Sequence, residues 1–231
     1  MSGGCHLNNP LSAYLFLTRV LPLQDASCWL IVTEHEFDAL DLAGDIETLS
    51  ATLTGSALSV AALPDEDHAV RNLRLDALAA GDLRCLVMSA HALAQPVATA
   101  EALKASTILL NAGAVFARES LLPSLVSAGF KRVDLVESKG EFAVRGQVVD
   151  IFATTCDDPV RILFNGDEVE SIKTYDIISQ ESLAARQSLR VIAVGSGSGS
   201  TLYDHVLAPI SIVLANPLLA VDSAPAQGVW T

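Results

Sequence analysis

Positive charge is scarce in this sequence: 14 Lys and Arg stand against 27 Asp and Glu in 231 residues, for a formal net charge of −13. Neutralising phosphates takes clustered Lys and Arg, so the balance excludes a general nucleic-acid binder while leaving room for a protein partner. Cysteine is rare as well. Cys5, Cys28, Cys85 and Cys156 are widely spaced and form no CxxC pair, which excludes metal-site spacing and a disulfide framework and leaves buried or idle thiols. No apolar run reaches the ~20 residues needed to span a bilayer, and no charged-then-apolar signal opens the chain, so a cytoplasmic protein with no membrane partner is expected. With 51% hydrophobic residues the chain also lacks the composition of a disordered one.

Catalytic signatures are missing too. A P-loop needs GxxxxGK[ST], because backbone N–H groups cradle phosphates and the lysine meets the terminal ones. Thr54-Gly55-Ser56 has no Gly-Lys after it, and the stretch LNNPLSAYLFL offers Asn8, Asn9 and Pro10 where a first P-loop belongs. No GxGxxG follows a strand and no GxSxG elbow is present. His6, His35, His68, His91 and His205 are scattered without partners at ligand spacing. The expectation is no catalytic residue, no cofactor and no metal in this chain, and by elimination a binding role.

The sequence does contain a strand–helix alternation. CWLIVT (28–33), LSVAAL (58–63), LRCLVMS (83–89) and STILLNAG (106–113) read as strands. Between them lie helical patterns, the first carrying Phe37, Leu40, Leu42, Ile46, Leu49 and Leu53, the second Val70, Leu73, Leu75 and Leu78. Such alternation predicts a parallel sheet covered by helices. From SLLPSLVSAGF onward, read as a helix capped by Ser120, the chain becomes β-rich. GSGSGS (195–200) has the composition of a flexible linker and reads as engineered. After it, STLYDHVLAP suits a short helix and ISIVLANPLLAV a strand returning to the first sheet. The expected organisation is a discontinuous domain (1–112 plus 201–231) with an inserted α+β domain (113–194).

Two hairpins dominate the insert. In FNGDE, an Asn165-Gly166 type I′ loop would put Phe164 opposite Asp167, Ile162 opposite Val169 and Arg161 opposite Glu170. Val160, Ile162, Phe164 and Val169 then share the core side, while Arg161, Leu163, Glu168 and Glu170 share the other. Phe142, Val144, Ile151 and Phe152 are likewise assigned to the core. In GEFAVRGQVVDIF (140–152) a strand interior gains nothing from Gly146, so Arg145-Gly146 reads as the boundary between two strands.

These pieces, GEFxVRGxxxDIF, PVRIxFxGDEVESI and the tail YDxxxQxSL, resemble the UvrA-binding module shared by excision-repair UvrB and the transcription-repair coupling factors. The missing P-loop and the short connection from residue 63 to residue 97 resemble the degenerate first domain of the coupling factors, and with it the likeness covers nearly the full chain. The resemblance implies a degenerate P-loop-NTPase-like sheet domain bearing a UvrA-interaction domain. It also implies a parent protein that binds stalled RNA polymerase and translocates on double-stranded DNA, with ATP and magnesium used only by motor domains outside this chain. It places Arg145 and Arg161 at UvrA-contacting positions, with Glu168 and Glu170 as weaker candidates. Asn165 departs from the family, which often has an aromatic there. A UvrB-type nucleotide-binding fragment is the alternative; a structural domain that restrains its parent, with its binding face masked, is a third reading.

Overall fold

The computed structural model describes residues 10–23, 28–196, 199–205, 210–214 and 229–230. Its strands are β1 (Cys28–Thr33), β2 (Val60–Leu63), β3 (Cys85–Ser89), β4 (Val97–Ala98), β5 (Ile108–Asn111), β6 (Lys131–Arg132), β7 (Glu141–Arg145), β8 (Val148–Ile151), β9 (Val160–Asn165), β10 (Glu168–Tyr175), β11 (Ser182–Arg186), β12 (Ser188–Val191), β13 (Gly199–Ser200), β14 (Ile210–Leu214) and β15 (Val229–Trp230). The α-helices are α1 (Pro10–Leu15), α2 (Glu36–Thr54), α3 (His68–Ala80), α4 (Ala90–Ala94), α5 (Ala100–Ala105) and α6 (Arg118–Ser127). Parallel and antiparallel sheets together make this an α/β fold. The chain divides into two units, Met1–Asp67 with Arg74–Ala100 and Ser198–Thr231, and His68–Leu73 with Glu101–Gly197.

The first unit holds a five-stranded parallel sheet in the order β15-β14-β1-β3-β2. Its central strands are apolar runs because helices and further chain cover both faces: all six residues of β1 and all five of β3 are buried. Ala39, Leu42, Ala43 and Ile46 of α2 pack with Phe16 and Leu17 against Trp29, Ile31, Cys85 and Val87. Burial pushes the Cys28 thiol up to about 11 and the Cys85 thiol higher still, so neither is a reactive nucleophile. Cys156 is also a free buried thiol; Cys5 and His6 lie outside the described residues, as do Asn8 and Asn9, residues 206–209, and residues 215–221 of the returning segment. Among the described residues no helix is long and apolar enough to cross a membrane, and no group of three or more His, Cys, Asp or Glu is placed to hold a metal.

The strand Ile108–Asn111 does not extend the parallel sheet. It pairs antiparallel with β12 inside the second unit, where Ile108, Leu110, Leu189 and Val191 point into one core and their alternating neighbours face outward. That half-exposed alternation marks an antiparallel strand, whereas a buried parallel strand would be apolar throughout. The main sheet of this unit has the order β11-β10-β9-β8-β7-β6, antiparallel throughout except for β6 with β7. Phe142, Val149, Ile151, Val160, Ile162, Phe164, Val169 and Ile172 line one face and pack with Leu121 and Leu125 of α6. Helix α6 begins at Arg118 with Ala117 as its cap residue, so Ser120 is its third residue, and Pro123 stands inside the helix.

The Gly-Ser stretch is less free than its composition suggests. The Gly195 N–H donates to Ala128 O at 3.3 Å, and Asn72 Nδ2 donates to the Gly195 carbonyl at 2.9 Å. A Cβ on Gly129, itself at φ +88°, would come within 2.6 Å of the Gly195 nitrogen. Gly195 therefore belongs to the packed body of the second unit. Gly199 and Ser200 form β13, paired with β4. The stretch is thus held at Gly195 and paired at Gly199–Ser200, and the boundary between the two units falls within it; residues 197–198 lie outside the described residues.

Candidate functional site

Both hairpins turn on a glycine. In the first, Arg145 pairs with Val148, leaving Gly146 and Gln147 as the loop. In the second, Asn165 pairs with Glu168, leaving Gly166 and Asp167. In each loop only the glycine has a positive φ, +59° at Gly146 and +62° at Gly166, the pattern of a type II′ turn with glycine first. The expected type I′ loop at Asn165-Gly166 is thus corrected by one residue: Asn165 closes the strand, and Phe164 faces Val169.

A second irregularity follows. The pairing slips between Val169 and Ser171, so Glu170 is an extra, bulged residue, and Ile172 faces Ile162 while Lys173 faces Arg161. The bulge keeps Val169 and Ile172, three positions apart, on the same buried face. The expected Arg161–Glu170 pairing is therefore not made. The face assignment survives the slip: Val160, Ile162, Phe164 and Val169 are fully buried and Arg161 lies on the other side. Phe142 and Ile151 join that core and Val144 packs against it, whereas Phe152 packs with Ala143 and Val136 in a separate cluster.

The partner of Arg161 is Asp150, its neighbour across β8 and β9. Nε donates to Oδ1 at 2.8 Å and Nη2 to Oδ2 at 3.0 Å, a bidentate fork. Nη1 donates to the Gln180 carbonyl at 3.3 Å and Nη2 to Gln180 Oε1 at 3.0 Å. The guanidinium lies 4.3 Å from the centroid of the Tyr175 ring. Four of its five N–H donors are therefore in use. The side chain of Asp150 is 3% exposed and that of Arg161 26%, so the pair is sheltered on its acid side and open on its basic side. The hydrogen bond to Asp150 raises the Arg161 pKa above its ordinary value. Burial, with the Asp150 charge adding and the arginines opposing, pushes the Tyr175 phenol up to about 12. Its hydroxyl is buried and has no hydrogen-bond partner among the described residues.

Gln180 reaches Arg161 because its backbone sits at φ +61°, the only non-glycine among the described residues with a positive φ. The Asp176 side chain accepts from the Ile178 and Ser179 N–H groups at 3.0 and 2.7 Å, and the Gln180 N–H donates to Asp176 O at 2.8 Å. The bonds to the carboxylate from Ser179 and Ile178 hold it below its ordinary pKa, the Ser179 N–H contributing most. The three sequence pieces thus meet at one place: Arg145 and Asp150 from the first, Arg161 from the second, Tyr175, Asp176 and Gln180 from the third. Nothing in their spacing identified Asp150, Tyr175 and Gln180; pairing of the two hairpins along β8 and β9 does.

Arg145 contrasts with Arg161. It is exposed, and among the described residues its guanidinium donates to Asp134 O alone, at 2.9 Å. Arg145, Val148, Asp150, Arg161 and Gln180 line one depression of about 290 Å³. Glu168 and Glu170 lie exposed beside the second turn and do not line it.

Residues 108–195 match the family model described as the UvrB interaction domain. The chain is 36% identical over 107 residues to the transcription-repair-coupling factor of Myxococcus xanthus, covering 46% of this chain and 9% of that protein. It is 31% identical over 188 residues to the transcription-repair-coupling factor of Mycobacterium bovis, covering 75% of this chain and 15% of that protein. Against UvrABC system protein B of Clostridium botulinum the identity is 35% over 92 residues, covering 39% of this chain and 14% of that protein. The chain therefore spans a small part of the length of these relatives. The resemblance to the coupling factors holds over three quarters of the chain, and that to UvrABC system protein B over less than half.

Proposed function

We propose that this chain is a UvrA-recruiting module of a transcription-repair coupling factor, acting in nucleotide excision repair. The observation that carries the reading is the convergence of the two arginines singled out by sequence, Arg145 and Arg161, on one depression within the stretch matching the UvrB interaction domain. Arg145 supplies a guanidinium with open donor positions for a partner carboxylate. Arg161, clasped by Asp150, Tyr175 and Gln180, shapes the floor of the depression and offers its remaining donor. Glu168 and Glu170 act as rim charges, which tune approach more than affinity.

On this reading the chain has no catalytic role and takes no cofactor. The first unit is a degenerate P-loop-NTPase-like sheet domain, discontinuous in sequence; the parallel order β15-β14-β1-β3-β2 and the lack of GxxxxGK[ST] support this. ATP-driven translocation on double-stranded DNA and engagement of RNA polymerase belong to further domains of the parent protein.

The test is capture of the chain by purified UvrA. Wild type is retained, and Arg145→Glu combined with Arg161→Glu is not, with circular dichroism reporting whether each keeps the fold. Retention of a folded double variant would overturn the assignment. Because Arg161 is tied into the sheet, Arg145→Glu alone is run beside it.

A further inference from the structure

The segment from Gly113 to Arg118 runs as a strap across the tips of both hairpins. The Gly113 N–H donates to Val169 O at 2.7 Å, the Val169 N–H to Ala114 O at 2.9 Å, and the Phe116 N–H to Asp167 O at 2.7 Å, with Val115 bridging Glu168. The strap ends in Arg118. Its backbone N–H donates to Asp167 Oδ1 at 3.2 Å in the second turn, and its Nη2 donates to the carbonyl of Gly146 in the first. One residue thus ties the turn that follows Arg145 to the turn of the neighbouring hairpin.

A two-residue turn has one peptide that the strand ladder leaves unpaired, the one joining its two central residues. In the first hairpin this is Gly146–Gln147, and Gly146 adds the backbone freedom of glycine. The carbonyl of Gln147 is fixed by the Phe164 N–H at 2.9 Å. The carbonyl of Gly146 is fixed by Arg118. Arg118 keeps this contact although its Nε is buried without a partner among the described residues, an arrangement that costs stability where it occurs.

We propose that Arg118 is a positioning residue for the partner contact made by Arg145. By holding the Gly146 carbonyl it sets the plane of the turn, and so the direction from which Arg145 leaves the sheet beside the depression. The inference rests on the reading that Arg145 meets UvrA. Without Arg118 the turn and the Arg145 side chain must be ordered on binding, which weakens affinity by roughly three- to tenfold.

Affinities of the full chain for purified UvrA test this in a cycle of Arg118→Met, Arg145→Ala and the double variant, with Arg118→Lys as rescue and circular dichroism on each. Expected are a roughly tenfold loss for Arg145→Ala, three- to tenfold for Arg118→Met, and a double variant no weaker than Arg145→Ala, because Arg118 acts through Arg145. Arg118→Lys, which still donates to the Gly146 carbonyl, stays within about twofold of wild type. If Arg118→Met binds like wild type while Arg145→Ala is weakened, or if the two losses add, the positioning role falls and the recruitment reading stands. If Arg145→Ala binds like wild type, the recruitment site itself is wrong. Should Arg118→Met not fold, a tenfold loss in folded Arg118→Lys overturns the inference.

Discussion

The two faces of the six-stranded sheet are built on opposite rules. One is dry and apolar: Phe142, Ile162, Phe164 and Val169 are buried to 1% exposure or less and meet α6. The other carries a sheltered carboxylate, a clasped guanidinium, a buried tyrosine and, beside them, a solvent-facing arginine. The first face supplies stability by excluding water. The second spends some of it, because Asp150 is taken out of solvent and must be matched by Arg161. Folding alone does not require such a face; on the proposed reading its polar residues serve what they present outward.

Substitutions should separate the faces. The largest effect belongs to the dry one: Phe164→Ala leaves a cavity among Val149, Ile162 and their neighbours and should cost about 3–5 kcal/mol in urea unfolding. Asp150→Ala comes next. It strands a guanidinium that is only partly exposed, for a loss of about 2 kcal/mol, below the range for fully buried pairs because Arg161 reaches water. If Asp150→Ala matched Phe164→Ala, the polar face would be as structural as the apolar one and the contrast would fail.

Tyr175 gives a spectroscopic version of the same test. Its phenol stays neutral in the folded state up to about pH 12, above the unfolded value near 10. The native state then holds a proton the unfolded chain has lost, so this contribution is complete below pH 10 and declines between about 10 and 12. Phenolate absorbance should show one of the three tyrosines titrating late, and the delay should shrink in Asp150→Ala. The smallest effect is that of Arg145→Ala on stability, within about 0.5 kcal/mol by the same urea measurement.

Much of the apolar face was legible in sequence, because period-two alternation in VRILF fixes which side each residue takes. The register was not. Composition cannot distinguish Asn165-Gly166 from Gly166-Asp167 as the loop, and a bulge such as that at Glu170 leaves no compositional mark. Arg145 and Arg161 were visible as motif residues, but the expected partner Glu170 gave way to Asp150, which sits on the preceding hairpin, in the adjacent strand β8. Arg118 lies 28 residues before the carbonyl it holds, a separation that local pattern cannot bridge. Local pattern marks Ile108–Asn111 as a strand, but which sheet it joins is set by its partner β12, some eighty residues away.

The central claim is that the polar face recruits UvrA through Arg145. A titration of purified UvrA with wild-type chain and with Arg145→Glu tests it most directly, because Arg145, unlike Arg161, can be changed without disturbing the sheet. Saturable binding by wild type, an affinity at least roughly tenfold weaker for Arg145→Glu and indistinguishable melting curves are the predicted result; equal affinities, or no saturable binding by wild type, would contradict it.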